Sequence, residues 1–218
     1  LKILAHNDIP YVIVEKEQCC GMPKLELGDL DAVAQSQAAN IPVLAKYAKD
    51  GYAILSAVPS CTLMFKQEIP LMFPDDADTQ LVKGAMWDPF EYLMLRHKGG
   101  LLNTTFKEEL GDIAYQVACH LRVQNMGLKT KELLELIPNT SVSAIEGCSG
   151  HDGVYAVKSE FHDIAVKIAK PVVNRVDKSE ASIFSSDCPM AADHIASGLK
   201  DEKAVKNPIS LLKQAYGL

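Results

Sequence analysis

Six cysteines are the residues of this 218-residue chain best suited to chemistry. Cys19 and Cys20 are adjacent and lead into Gly21, and Cys148 leads into Ser149 and Gly150. Cys61, Cys119 and Cys188 stand alone, each at or just beyond the end of an apolar stretch. Thiolates are soft donors that suit zinc or iron–sulfur clusters, and an even count also allows disulfides. Disulfide frameworks belong mostly to short secreted chains, whereas this one is helix-rich and opens Leu1-Lys2-Ile3-Leu4 without the look of an export signal. Structural zinc is often held by short Cys-x-x-Cys pairs, and none occurs here. Gaps of 29 residues from Cys119 to Cys148 and 40 from Cys148 to Cys188 suit a larger cluster seated between loops. Buried structural thiols are the plain alternative. For Cys19-Cys20, so are a reactive pair and a vicinal disulfide, but the following glycine and the repeat below favour metal ligation.

The elements that must position these thiols come in two copies. Ile9-Pro10-Tyr11-Val12-Ile13-Val14 reads as a strand leading to Cys19-Cys20-Gly21, and Ile137-Pro138 with Val142 and Ile145 leads to Cys148-Ser149-Gly150. An amphipathic helix follows each. In the first, Leu30, Val33, Ala34, Ala38, Ile41, Ala45 and Ala48 share a face; in the second, Phe161, Ile164, Ala165, Ile168, Val172 and Val176 do. Pro42 and Pro171 each fall 23 residues after the first cysteine of their copy and are expected to kink or restart the helix. Apolar strands from Tyr52 to Val58 and from Ala181 to Ser186 then end near Cys61 and Cys188, and both copies close on a proline-led helix at Pro89 and Pro208.

A further strand, Asp112 to Ala118, ends in Cys119-His120 ahead of the second copy. The same spacing would set its counterpart before Leu1, so the first copy is expected to lack its first strand and first cysteine. Alternating strands and helices predict an α/β fold with mainly parallel sheets. We therefore expect two similar βαβ-type lobes related by a pseudo-twofold, 1–98 and 99–218, with the boundary near Gly99. Sites in open α/β sheets lie outside the carboxyl ends of strands, which is where the cysteines fall. Helix N-termini beside Cys61 and Cys188 would offset the charge of a thiolate-bound cluster.

With 22 basic and 28 acidic residues the formal net charge is −6, which argues against nucleic-acid binding and against a polybasic membrane surface. No apolar run approaches the roughly 18 to 20 residues of a spanning helix, and the composition predicts a cytoplasmic protein.

The pattern Cys-…-Cys-Cys-Gly-…-Cys resembles the cysteine-rich CCG domain family, found in iron–sulfur subunits of heterodisulfide reductase and of anaerobic glycerol-3-phosphate dehydrogenase. The stretches that carry the resemblance are Lys16-Glu17-Gln18-Cys19-Cys20-Gly21, Ser60-Cys61-Thr62-Leu63, Ala118-Cys119-His120-Leu121, Glu146-Gly147-Cys148-Ser149-Gly150, Ser186-Asp187-Cys188-Pro189 and the tail from Asn207 to Leu212. It covers nearly the whole chain as two tandem CCG domains. It implies an iron–sulfur cluster, of the [4Fe-4S] type, on Cys19, Cys20, Cys61, Cys119, Cys148 and Cys188. It also implies electron relay between a flavoprotein dehydrogenase subunit and a quinone or disulfide-type acceptor, with peripheral association with a membrane complex on the inner face of the cytoplasmic membrane.

Three positions depart from the family pattern: Ser149 stands for the paired cysteine, and Met64 and Ala191 stand where a closing Cys-x-x-Cys would end. Copy two thus keeps three thiols, which leaves room for a cluster with one open iron or with His120, His151 or a hydroxyl as an additional ligand; His151 also reads as a proton donor. Cys119-His120 is a poor nucleophilic pair, because adjacent strand residues point to opposite faces. The glycines of Gly150-His151-Asp152-Gly153 are too few to indicate phosphate binding. Trp87, Met64, Met72, Met86 and Met94 read as core. Two functional readings remain: an iron–sulfur electron-transfer subunit, or a non-redox scaffold whose thiols hold zinc or nothing.

Overall fold

The computed structural model describes residues 1–15, 17–151, 156–200 and 202–218. Lys16 of the first motif and Asp152-Gly153 of the glycine turn lie outside the described residues. The chain forms two compact units, one of Val12–Pro89 and one of Leu1–Tyr11 with Phe90–Leu218.

Within Val12–Pro89, α2 (Met22–Glu26) and α3 (Leu30–Lys49) precede β1 (Ile54–Leu55). Asp29 caps α3 by accepting the Ala32 N–H at 3.2 Å. The helix is continuous through Pro42, with no restart there. Its buried residues are Val33, Asn40, Ile41, Leu44 and Ala45, while Leu30, expected on that face, is exposed. Next come α4 (Pro59–Leu63), a π-helical turn at Met64–Glu68, α5 (Ile69–Met72), α6 (Ala77–Ala85) and β2 (Met86–Trp87). Pro70 has no N–H to offer Lys66, so the chain widens into a π turn before it. β1 pairs in parallel with β2, Ile54 opposite Met86. The apolar run Ile9–Val14 forms no strand: Tyr11, Val12 and Ile13 are exposed, and no ladder pairs them among the described residues. Hydrophobic alternation alone does not make a strand when the neighbour that would pair it is lacking.

The second unit is built on the parallel sheet β4-β3-β5-β6, formed by β3 (Gly111–Gln116), β4 (Thr140–Ile145), β5 (Ile183–Ser186) and β6 (Ala204–Val205). In central β3, Ile113, Ala114, Tyr115 and Gln116 are all buried, as a strand covered on both faces requires. Alternation sends Ile113 and Tyr115 into one core cluster, with Leu133, Ile137, Leu211 and Leu212. Ala114 goes to the other, with Phe184, Val172, Val176 and Ile195. The first cluster is covered by α9 (Lys129–Leu134), α12 (Pro208–Ala215), α1 (Lys2–His6) and α7 (Pro89–Lys98). The second is covered by α10 (His162–Asp177) and α11 (Pro189–Ala196). α10 also continues through its proline, Pro171. Of the face expected to be buried, Ala165, Val172 and Val176 are buried, joined by Ala169 and Val173, whereas Ile164 and Ile168 are exposed. α7, expected to close the first copy, buries Phe90, Leu93 and Met94 in this second unit. No helix among the described residues is long and apolar enough to cross a membrane.

Candidate metal centre

Three adjacent parallel strands deliver three cysteines to one edge of the second unit's sheet. β3 ends at Gln116 and Cys119 opens α8 (Cys119–Arg122); β4 ends at Ile145 and Cys148 follows; β5 ends at Ser186 and Cys188 is the N-cap of α11. Cys119 and Cys148 are exposed and Cys188 is half-buried. Cys119, open to solvent on its outer side, has its pKa pushed up by partial burial first and then by the nearby Cys148; Cys188 adds a smaller push. The Arg122 guanidinium and the Ser149 N–H act against this rise. Cys119 therefore lies within electrostatic reach of both other thiols. The Gly150 N–H points at Cys148 Sγ at 3.4 Å, so backbone donors face two of the three sulfurs.

Beneath these thiols lies polar structure that motif spacing does not bring out. Asp187, immediately before Cys188, is buried, with 5% of its surface exposed. Its carboxylate accepts hydrogen bonds from Tyr115 Oη and, at 2.9 Å, from Thr130 Oγ1. Burial raises its pKa to about 6 in spite of these donors. The sequence signal is a tyrosine inside the strand expected from Asp112 to Ala118: a buried hydroxyl calls for a partner.

In Val12–Pro89, Cys19 is exposed, Cys20 buried and Cys61 half-buried. The Cys20 thiol donates to Cys61 Sγ. That bond, reinforced by burial, pushes Cys20 up; the same bond, with the Ser60 and Ser56 hydroxyls, lowers Cys61 to about 7. Cys61 is the third residue of α4, whose N-cap is Val58, whereas Cys188 is itself the N-cap of α11. Each helix has proline at its first position, so Ala191 rather than Cys188 holds the helical position of Cys61. The two closing cysteines are thus not at like positions, a shift that spacing from the apolar strand conceals.

Asn40 holds the Cys19-Cys20 loop. Its Oδ1 accepts the Gln18 N–H at 3.1 Å, and its Nδ2 donates to Cys19 O at 3.1 Å and to Ser36 O at 3.0 Å. Asn40→Leu leaves the Gln18 N–H and the Cys19 carbonyl without this partner. We expect it to destabilise the chain by about 1–3 kcal/mol and to raise amide exchange at Gln18, as read by urea unfolding and hydrogen exchange.

The histidines are placed less centrally. His120 follows Cys119 on α8 rather than on a strand, so the argument from alternating strand faces does not apply to it. His151 lies after Gly150, its N–H on Ser149 Oγ at 3.3 Å. Among the described residues, no three His, Cys, Asp or Glu side chains gather closely enough to hold a single metal ion. A polynuclear cluster asks for something different: each thiolate binds its own iron, so the sulfurs surround a volume instead of meeting at a point. Three exposed or half-buried thiols at neighbouring strand ends fit that demand.

This is an α/β protein in which three of the six cysteines, Cys119, Cys148 and Cys188, follow the carboxyl ends of adjacent parallel strands. The chain belongs to the CCG cysteine-rich domain family, which it matches at residues 1–66 and 113–190. It is 23% identical over 217 residues to a subunit of the anaerobic glycerol-3-phosphate dehydrogenase of Escherichia coli strain K12, covering 99% of this chain and 54% of that protein. It is also 25% identical over 225 residues to a subunit of the fumarate reductase (CoM/CoB) of Methanothermobacter marburgensis, covering 99% of this chain and 42% of that one. The chain thus spans about half the length of the curated relatives it matches.

Proposed function

We propose that this chain is an iron–sulfur electron-transfer part of an oxidoreductase. The observation that carries the reading is the delivery of Cys119, Cys148 and Cys188 to one sheet edge by three adjacent parallel strands. Family membership supports it, as do relatives named as subunits of a dehydrogenase and a reductase. Cys119, Cys148 and Cys188 would hold one cluster, and Cys19, Cys20 and Cys61 would contribute to a second. His120 and His151 are the proposed additional ligand or proton donor of the first. A [4Fe-4S] cluster bound there supplies a one-electron couple. The protein's own part is to hold the sulfurs, to direct the Ser149 and Gly150 N–H groups at them, and to set Arg122 beside the negative charge.

The proposed redox partners are a flavoprotein dehydrogenase subunit as donor and a quinone or disulfide-type acceptor. The proposed setting is the cytoplasm, with peripheral attachment to the inner face of the membrane.

We propose further that the two units descend from one duplicated domain. Gly21 and Gly150 both have positive φ, and each faces a helix residue 15 positions on, Ser36 and Ala165, that lies six before the helix proline. β1 and β5 begin 12 residues after those prolines. β5 is flanked by β3 and β6, whereas β1 has only β2 among the described residues.

The test is optical. Anaerobically purified protein is expected to be brown, with a broad visible absorbance that bleaches on dithionite reduction. A colourless protein carrying zinc would replace this reading with a scaffold.

A further inference from the structure

We infer that Gln116 is the positioning residue of the second unit's thiol set, a side chain that ties together all three strand ends bearing cysteines. This rests on the proposed cluster site and names a residue that no cysteine motif contains. Gln116 is the last residue of β3, paired in register with Ile145 of β4 and Ser186 of β5. Its side chain is fully buried. A parallel ladder that stops there leaves backbone groups beyond its last rung without sheet partners, and Gln116 takes them up. Its Nε2 donates to Val117 O at 2.9 Å, on the path to Cys119, and to Gly147 O at 3.2 Å, immediately before Cys148. Its Oε1 accepts from Ser186 Oγ at 2.8 Å, and Ser186 Oγ in turn accepts the Cys188 N–H at 3.3 Å.

Each cysteine therefore lies within two residues of a group bonded to this single amide or to its partner Ser186. Two donors and one acceptor at fixed angles set the separation of three loops at once. An apolar side chain of the same size would fill the space and fix none of them. Outer-shell partners of this kind orient the groups that ligate a metal, and their loss costs about 10-fold to 100-fold in metal retention. Asp187 ties the β5 end to Tyr115 of β3 and to Thr130 of α9; Gln116 reaches all three cysteine-bearing strand ends.

The test compares the wild-type chain with Gln116→Leu, Gln116→Glu and Ser186→Ala. Gln116→Glu keeps shape and the Ser186 bond but presents an oxygen to two carbonyls. Ser186→Ala cuts only the link to Cys188. Iron and acid-labile sulfide are measured first, then the rate of iron loss to a chelator, the EPR spectrum after reduction, and the melting of the metal-free chain. We expect both Gln116 variants to lose iron about 10-fold to 100-fold faster with altered EPR line shape, and Ser186→Ala to do so to a lesser extent. Metal-free Gln116→Glu and Ser186→Ala should melt below wild type, because each leaves buried polar groups unpaired, but with a cooperative transition that marks a folded chain. Wild-type retention and spectra in those two folded variants would overturn the inference, whether or not Gln116→Leu folds.

A wild-type chain without iron would refute the cluster reading instead. Positioning is then read from a short bifunctional thiol alkylator bridging Cys148 and Cys188. A several-fold lower yield in the variants supports the role of Gln116, and equal yields overturn it.

Discussion

Gly150→Ala is expected to be the most damaging glycine-to-alanine change among the described residues, costing roughly 3 kcal/mol or more in unfolding free energy. Gly150 has φ +74°, and a Cβ built on it would lie 2.2 Å from the Ala165 carbonyl oxygen and 3.1 Å from the Ala169 nitrogen. Both are backbone atoms of α10, so no side chain can swing aside; either the Cys148–Gly150 turn or the helix must move. A left-handed conformation costs an alanine about 1–2 kcal/mol, and the overlap adds typically about another 1–3. Gly21→Ala meets a gentler contact, Ser36 Cβ and Oγ at 3.3 Å with φ +92°, and should cost less. Denaturant unfolding of both variants ranks them. Equal stability of Gly150→Ala and wild type would show that the cysteine turn does not sit on α10 as described.

The second large effect concerns metal rather than fold. Cys148→Ala should remove the cluster of the Phe90–Leu218 unit while leaving the stability of the metal-free chain within about 0.5 kcal/mol, the range of ordinary surface substitutions, because Cys148 is exposed and its sulfur lies outside the unit's two core clusters. Iron content per chain before and after the substitution checks this, and unchanged iron would remove Cys148 from the ligand set. Ser149→Cys is its counterpart. Ser149 is 2% exposed and follows Cys148 as Cys20 follows Cys19. If the three-thiol set leaves a ligand position open, the added thiol should slow bleaching in air, and an unchanged rate would argue that no position is open there.

Much of this arrangement is legible in the residues because it is written in local patterns. Apolar runs ending in cysteines mark β3 and β5 and put Cys119, Cys148 and Cys188 at strand ends. Two amphipathic stretches mark α3 and α10. What is not legible depends on partners distant in sequence. Tyr11–Val14 carries strand residues but no strand, since pairing is supplied by a neighbour and not by propensity. Pro42 and Pro171 have the look of breaks, yet tertiary packing of Val33, Ile41 and Leu44, and of Ala165, Ala169 and Val172, carries each helix through its proline. Cys61 and Cys188 match along the sequence, but the proline-led helices give them different places: one thiol lies inside the first turn, the other at the cap. Gln116 and Asn40 carry no motif signal because they act through carbonyls, amides and hydroxyls, and Asp187, though inside a motif stretch, acts through Tyr115 and Thr130, which are far off in sequence.

The central claim is that the cysteines at the strand ends hold iron and sulfide. The direct measurement is iron and acid-labile sulfide per chain on anaerobically purified protein, with EPR after dithionite reduction. About four of each per occupied unit, with a cluster signal in the reduced state, is the expected result. Zinc, or no metal, would contradict it.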